Sequence, residues 1–301
     1  MSKRSLVVAA CAPAAHSFVP PEHNAATERM IKGTERNPQR IREHVERMLD
    51  HHARILERAG GAGAHLAVIP EDSLRLSGLI GRHRSQRFCA DAIDEAYDRY
   101  VQRVGAVCRE YGMHVVGGTM THRRGRFHNT AIMQDPTGRV IAAYHKTHLP
   151  KGEDKSVAAG GELPVFDTQI GKIGMLICWD IVFPEPYAVL ALKGAELIIQ
   201  PTFGHWDEPH DVTARSRAMD WSVPLVVSMW GGCACIIDHE GNFAARTGRV
   251  ADSLAVAALQ IGARRKWLFM NDTRRDKLAL RRPELYSTLT QPQSSRKPRE
   301  G

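Results

Sequence analysis

Three residues of this chain combine types that could perform acyl transfer: Glu71, Lys146 and Cys178 each stand at or just past the end of an apolar run. Only the thiolate of a cysteine is strongly nucleophilic, and a thiol of ordinary pKa, about 8.5, is mostly protonated at neutral pH. A carboxylate can take that proton, and an ammonium favours the anion it leaves. Taken singly, each residue also has a plain reading. A Glu after Pro70 suits a loop surface, a Lys after Tyr144-His145 suits solvent, and a Cys after Leu176-Ile177 suits an inert core. A Cys–His pair stays open through His145 or His148. The serine alternative lacks context, because Ser73, Ser156 and Ser228 have no GxSxG elbow around them. His145 and His148 lack a third metal ligand at matching spacing. His205, Asp207 and His210 form a second polar cluster that reads as pocket wall or surface. Gly60-Gly61-Ala62-Gly63 follows a helix, the wrong context for a phosphate loop. Thiol redox chemistry is disfavoured, since no resolving cysteine stands near Cys178.

The elements that must position these residues follow from hydrophobic periodicity. Residues 6–11 read as a buried strand, and 12–36 as a long loop. Residues 40–59 have helical spacing, stopped by Gly60-Gly61. A short strand over 65–69 ends at Pro70-Glu71. Residues 90–111 read as a helix, then 113–118, 129–134 and 139–144 as strands, the last two joined by the tight turn Asp135-Pro136-Thr137-Gly138. A second hairpin spans 163–178, with Cys178 closing it. Helices over 186–193 and 212–221 alternate with strands over 197–200, 224–229, 234–237, 243–246 and 254–261. Alternating strands and helices without a linker predict one mixed α/β domain, with helices covering both outer faces of packed sheets.

The chain has 301 residues, 43% hydrophobic and 25% charged, long enough for a sizeable core without staples. The formal net charge is +8, but eleven Lys/Arg against four Asp/Glu lie from Arg264 onward, so the first 263 residues are nearly neutral. That distribution argues against nucleic acid as the main partner and suits a solvated face or subunit contact. Cys11, Cys89, Cys108, Cys178, Cys233 and Cys235 include no CxxC, which points to a reducing, cytoplasmic compartment. The opening run mimics a short signal but reads equally as a strand. No stretch approaches the ~20 apolar residues of a membrane span.

Three blocks occur in order: Val68-Ile69-Pro70-Glu71, Tyr144-His145-Lys146-Thr147-His148-Leu149, and Ile177-Cys178-Trp179-Asp180 running on to Phe183-Pro184-Glu185. With Asn129-Thr130-Ala131, Gly194-Ala195-Glu196-Leu197 and Arg282-Pro283-Glu284-Leu285-Tyr286, they resemble the nitrilase superfamily of carbon–nitrogen hydrolases over about residues 5 to 286. The resemblance implies a four-layer α-β-β-α sandwich with a hydrolase domain over 1–287, the 12–36 loop inserted in it, and a mobile or subunit-contacting tail over 288–301. It implies Cys178 as nucleophile, Glu71 as general base and Lys146 as the cation that, with the Trp179 N–H, holds the oxyanion. Glu153 is the expected supporting carboxylate, with Asp154 as runner-up. Trp179, Asp180, Phe203, His205 and Trp206 are the expected pocket residues.

The expected reaction is hydrolysis of an amide or N-carbamoyl amine through a thioester, with release of ammonia and no cofactor or metal. A nitrile substrate and a catalytically silent binding protein are the alternatives. Asp180 two places after the nucleophile is nearer the amidase and N-carbamoylputrescine amidase branches, whereas nitrilases commonly carry Glu there. Ile181 and Val182 stand where carbamoyl amino-acid hydrolases tend to place arginines. A small-molecule substrate and a homodimer or higher oligomer, contacting through residues 187–192 and the basic tail, complete the expectation.

Overall fold

A computed structural model describes residues 4–14, 29, 32–82, 85–263 and 265–291. Most of the loop expected over 12–36 lies outside the described residues. The chain separates into two compact units, Met1–Ala263 and Arg264–Gly301.

The first unit is built on two six-stranded sheets. In the first, β1 (Arg4–Ala12) runs parallel to β2 (Leu66–Val68), which runs parallel to β3 (His114–Arg123). Antiparallel strands extend both sides: β4 (Arg126–Gln134) and β5 (Val140–His145) beyond β3, and β12 (Ser253–Ile261) beyond β1. The second sheet repeats the plan. Its parallel centre is β7 (Gly171–Met175), β8 (Leu197–Thr202) and β9 (Leu225–Met229), flanked by β6 (Val165–Thr168) and by β10 (Cys235–Ile237) with β11 (Phe243–Arg246).

Side-chain alternation explains the layers, because successive residues of a strand point to opposite faces. From β1, Leu6, Val8, Ala10 and Ala12 enter the core that also contains Ile173, Met175, Ile199 and Val226 of the second sheet. Ala9 and Cys11 point the other way, into a second core with Val45, Leu49, Leu56, Ile93 and Val104. The latter residues belong to α1 (Pro38–Gly61) and α3 (Gln86–Tyr111), which cover the first sheet's outer face. Asn37 caps α1 by accepting from the Gln39 N–H at 2.9 Å, and Gly112 ends α3 at a φ of 61°. Between them lies a short helix, α2 (Ser77–Arg82). On the second sheet, α4 (Pro184–Leu192) and α5 (Glu208–Trp221) bury Tyr187, Leu190, Ala214 and Ala218. The four layers expected from the sequence are therefore present.

Within the stretch proposed as a subunit contact, Tyr187, Leu190 and Ala191 are turned into the core, and Leu192 is exposed. The unit from Arg264 carries α6 (Thr273–Leu280), capped by Asp272 accepting from the Arg275 N–H at 3.1 Å, and two short 3₁₀ turns. Among the described residues, no helix is long and apolar enough to cross a membrane.

Candidate active site

The carboxyl ends of parallel strands are where open α/β sheets gather reactive groups. Glu71 leaves the end of β2 by way of Ile69 and Pro70, and its turn is anchored on every side. The Ile69 N–H donates to the Val116 carbonyl at 2.9 Å, and the Ser73 N–H to Gly118 at 2.8 Å. A Cβ on Gly118 would stand 2.5 Å from the Glu71 Cα, so only glycine lets the turn lie this close to β3. From α1, His52 Nε2 donates to the Ser73 carbonyl at 2.8 Å and His44 Nε2 to Leu74 at 3.0 Å. Trp230, just past β9, donates its indole N–H to the Glu71 carbonyl at 2.8 Å. Asp72 sits at a φ of 46° while its carboxylate takes the N–H groups of Leu76 and Ser77, closing the turn into α2.

Lys146 follows β5 directly. Its N–H donates to the Asn129 carbonyl of β4 at 2.9 Å, which sets the two side chains beside each other. The ammonium is 2% exposed and donates to Glu71 Oε1 at 2.9 Å and to Glu153 Oε2 at 2.7 Å. Asn129 Nδ2 reaches the same two carboxylates, at 2.6 Å and 2.8 Å. Glu153 arrives on a 3₁₀ turn, Glu153–Lys155, that brings the chain back toward Lys146 after seven residues. Asp154, the runner-up, is exposed and accepts from the Gly152 N–H within its own turn.

Cys178 opens the 3₁₀ turn Cys178–Val182 beyond β7, at a φ of 41° that costs an L-residue of the order of 1–3 kcal/mol. Two buried polar side chains clamp it. Asp180 Oδ2 accepts from the Ile177 N–H at 2.8 Å, and Gln200 Nε2 donates to the Cys178 carbonyl at 3.0 Å. The Tyr187 hydroxyl donates to Gln200 Oε1 and fixes its amide. The thiol itself donates to the Phe203 carbonyl at 3.0 Å.

These groups share one cavity of about 470 Å³, lined by Glu71, Asn129, Lys146, Glu153, Cys178 and Phe203 among others. Burial pushes the Glu71 carboxyl above the usual carboxylate range, and the Glu153 charge adds to the rise against the pull of Lys146. Burial also raises the Cys178 thiol well above its ordinary value, and the facing Glu71 carboxylate raises it further. Lys146 opposes this, as the sequence suggested, but is outweighed. Burial alone would lower the Lys146 ammonium, yet Glu71, Cys178 and Glu153 together raise it. Burial thus favours the neutral thiol at Cys178, which faces the Glu71 carboxyl, while the Lys146 ammonium is fixed between Glu71 and Glu153.

The other expected pocket residues divide. Trp179, Phe203, His205 and Trp206 line a second cavity of about 470 Å³ that also opens at Cys178. Asp180 is a correction: it is completely buried and lines neither cavity. Its carboxylate accepts from Ile177, from the Tyr144 hydroxyl at 2.8 Å and from His148 Nδ1 at 2.8 Å. It therefore joins the Cys178 turn to the loop that follows Lys146. His145 pairs instead with the Thr130 hydroxyl at 2.8 Å and stacks on His128. His205 and His210 both turn to Asp207.

Asn129, Gln200 and Trp230 contribute to the site without having been singled out from the sequence. Only Asn129, inside its Asn-Thr-Ala block, gave a signal.

The chain matches the carbon-nitrogen hydrolase family over residues 36–268. The chain belongs to this family. It is 34% identical over 238 residues to a hydrolase in the pqqF 5' region of Pseudomonas protegens, a match covering 75% of this chain and 81% of that one. It is 35% identical over 105 residues to a probable nitrilase of Schizosaccharomyces pombe, where the match spans 34% of this chain and only 38% of the relative's length. An amidase from Nesterenkonia sp. AN1, solved after Michael addition of acrylamide at its active-site cysteine, has the same fold. Its TM-score is 0.70 at 21% identity, covering 94% of this chain and 99% of that one.

Proposed function

We propose that this carbon-nitrogen hydrolase cleaves a non-peptide C–N bond, in an amide or an N-carbamoyl amine, through a thioester on Cys178. The observation that carries the reading is the Lys146 ammonium fixed between Glu71 and Glu153 in the cavity that Cys178 enters. The related Nesterenkonia protein is an amidase with an active-site cysteine, which supports the same assignment.

Glu71 takes the Sγ proton as the sulfur attacks the carbonyl carbon. The oxyanion that develops is met by Lys146 and by the Trp179 N–H, donors whose positions cost no reorganisation during the reaction. Collapse of the tetrahedral species breaks the C–N bond, and the glutamic acid at position 71 returns the proton to the leaving nitrogen. Water, deprotonated by the same carboxylate, then adds to the thioester; the C–S bond breaks and the sulfur recovers its proton. Glu153 and Asn129 act as positioning residues that hold Lys146 and Glu71 in register.

Intact-mass spectrometry of the protein with a panel of primary amides, N-carbamoyl amines and nitriles tests the reading. The expected result is an acyl adduct on Cys178 and nitrogen release from the amides or carbamoyl amines. Cys178→Ala is expected to abolish both with the fold retained, and Cys233→Ala to leave substantial activity. Turnover of nitriles alone, or equal loss in Cys233→Ala, overturns it.

A further inference from the structure

Two cavities of similar size meet at the nucleophile, and among the residues lining them only Cys178 and Phe203 are shared. Their chemistry differs. Among the described residues, the first is lined by three carboxylates, Glu71, Asp72 and Glu153, with Lys146 as its cation, and by the small residues Ser77, Gly81 and Ser156. The second has no carboxylate in its lining among the described residues. Trp179, Phe203 and Trp206 wall it, with Val182 also in its lining and Arg217, His205 and His210 as its basic members. Arg217 is already engaged in shaping the nucleophile's turn, donating to the carbonyls of Ile181 at 3.2 Å and Val182 at 3.3 Å.

The tetrahedral carbon on Cys178 has three other substituents, and the site fixes where they go. The oxygen faces Lys146 and the Trp179 N–H. The leaving nitrogen must lie within reach of Glu71, which protonates it, and Glu71 lines only the first cavity. The acyl chain is left with the second cavity, on the aromatic side of the sulfur. Volume then discriminates between substrates. Ammonia is about the size of a water molecule, whose share of liquid volume is ~30 Å³. The cavity on the Glu71 side, about 470 Å³ including the reacting centre, is an order of magnitude larger than ammonia requires.

We propose that the substrate is an N-substituted amide whose apolar or aromatic acyl group occupies the Trp179–Phe203–Trp206 cavity and whose departing amine, itself cationic or becoming so, occupies the Asp72–Ser77–Ser156 cavity. This rests on the amide-hydrolase reading and sharpens it. In the acylation step the Cys178 S–C bond forms, the C–N bond breaks, and the Sγ proton passes through Glu71 to the amine nitrogen. The amine's departure empties the space beside Glu71, and the hydrolytic water enters there. The C–O bond then forms, the C–S bond breaks, and an apolar carboxylic acid leaves from the other side.

Three compounds decide it with the whole chain: 3-phenylpropanamide, N-(4-aminobutyl)acetamide, and N-(4-aminobutyl)-3-phenylpropanamide, each followed by amine or ammonia release and by the mass of the Cys178 adduct. The last is expected to show the highest kcat/KM, falling about tenfold or more when either substituent is removed, the scale on which pockets discriminate missing groups. Val182→Trp should reduce the preference for phenylpropanoyl over acetyl. Ser77→Phe should instead reduce the preference for the secondary over the primary amide. A primary amide that matches or exceeds the doubly substituted one, or variants that leave both preferences intact, overturns the proposal while the thioester reading stands. No adduct on Cys178 from any of the three overturns both.

Discussion

In the first sheet Glu71 leaves the carboxyl end of β2, and in the second Cys178 leaves the carboxyl end of β7, yet the two turns are held by different forces. The Glu71 side is a charged lattice in which Lys146 and Asn129 each bridge two carboxylates. The Cys178 side holds its strained backbone through single contacts to the main chain: Gln200 donates to the Cys178 carbonyl, Asp180 accepts from the Ile177 N–H, and Arg217 donates to the Ile181 and Val182 carbonyls. The division is chemically apt. Proton transfer and oxyanion stabilisation need charges fixed in a dry site, where their interaction is strong. A nucleophile needs aim more than charge, and a thiol held neutral until Glu71 acts avoids the cost of a buried anion. Asp180 is where the two systems meet, since it accepts from Ile177 on one side and from Tyr144 and His148 on the other.

The largest expected effect comes from breaking the charged side. Glu71→Gln removes the group that, in the proposed mechanism, both accepts and returns the proton, so acylation by an amide should be blocked. An activated ester, whose leaving group needs no proton, should be partly rescued in that variant. Lys146→Ala should slow amide and ester alike, because the oxyanion forms in both, by at least the ~10²–10³ lost with one oxyanion donor. Single-turnover rates for a matched amide and ester in both variants are the check. If the ester rescues Lys146→Ala and not Glu71→Gln, the two roles are inverted.

A smaller effect is expected from cutting the bridge between the sides. Asp180→Asn keeps the shape but replaces an acceptor with an amide whose NH₂ must face donors. Each buried N–H or O–H left unmatched should cost on the order of 1–3 kcal/mol. Urea unfolding should show a lower midpoint at unchanged slope. Acylation should slow for amide and ester together, since the fault lies in the aim of the sulfur. Stability and acylation both at wild-type level would mean that the strained turn is held without Asp180.

That Glu71, Lys146 and Cys178 would gather at strand ends was legible in the sequence because each follows an apolar run, and the layers were legible because strands and helices alternate without a linker. Asp180 was misplaced into the pocket for a physical reason. A charged residue beside a cysteine reads as reactive, and its burial depends on donors 32 to 36 positions away that no local pattern reveals. Asn129 and Gln200 sit inside strands, where a polar residue looks like an interruption of a hydrophobic period; their partners lie 13 to 58 positions away. Helix α2 spans six residues, too few for a helical period to register, so the closure of the Glu71 turn by Asp72 was invisible as well. The first sheet's third strand ran five residues past its expected end, to Arg123, through a polar stretch that pairs with β4.

The smallest expected effect concerns the tuning of Glu71 by its neighbour, and its sign can be worked out. The proposed mechanism requires Glu71 as a carboxylate before the sulfur attacks, so activity should fall as pH drops through the Glu71 pKa. Burial and the Glu153 charge hold that pKa above its ordinary value of about 4.3, with Lys146 pulling the other way. Glu153→Gln removes one of the raising influences and leaves the Lys146 ammonium paired with Glu71 alone. Both changes stabilise the Glu71 anion, so the acidic limb of kcat/KM should move to lower pH. The maximal rate should fall as well, because Lys146 loses one of its two anchors. A purely structural Glu153 would lower the rate and leave the limb where it was. Glu153→Asp, which keeps the charge, should return the limb toward its wild-type position even if the rate stays low. A pH–rate profile of the three proteins on one amide therefore distinguishes a charge that tunes the base from a side chain that only props up the lysine.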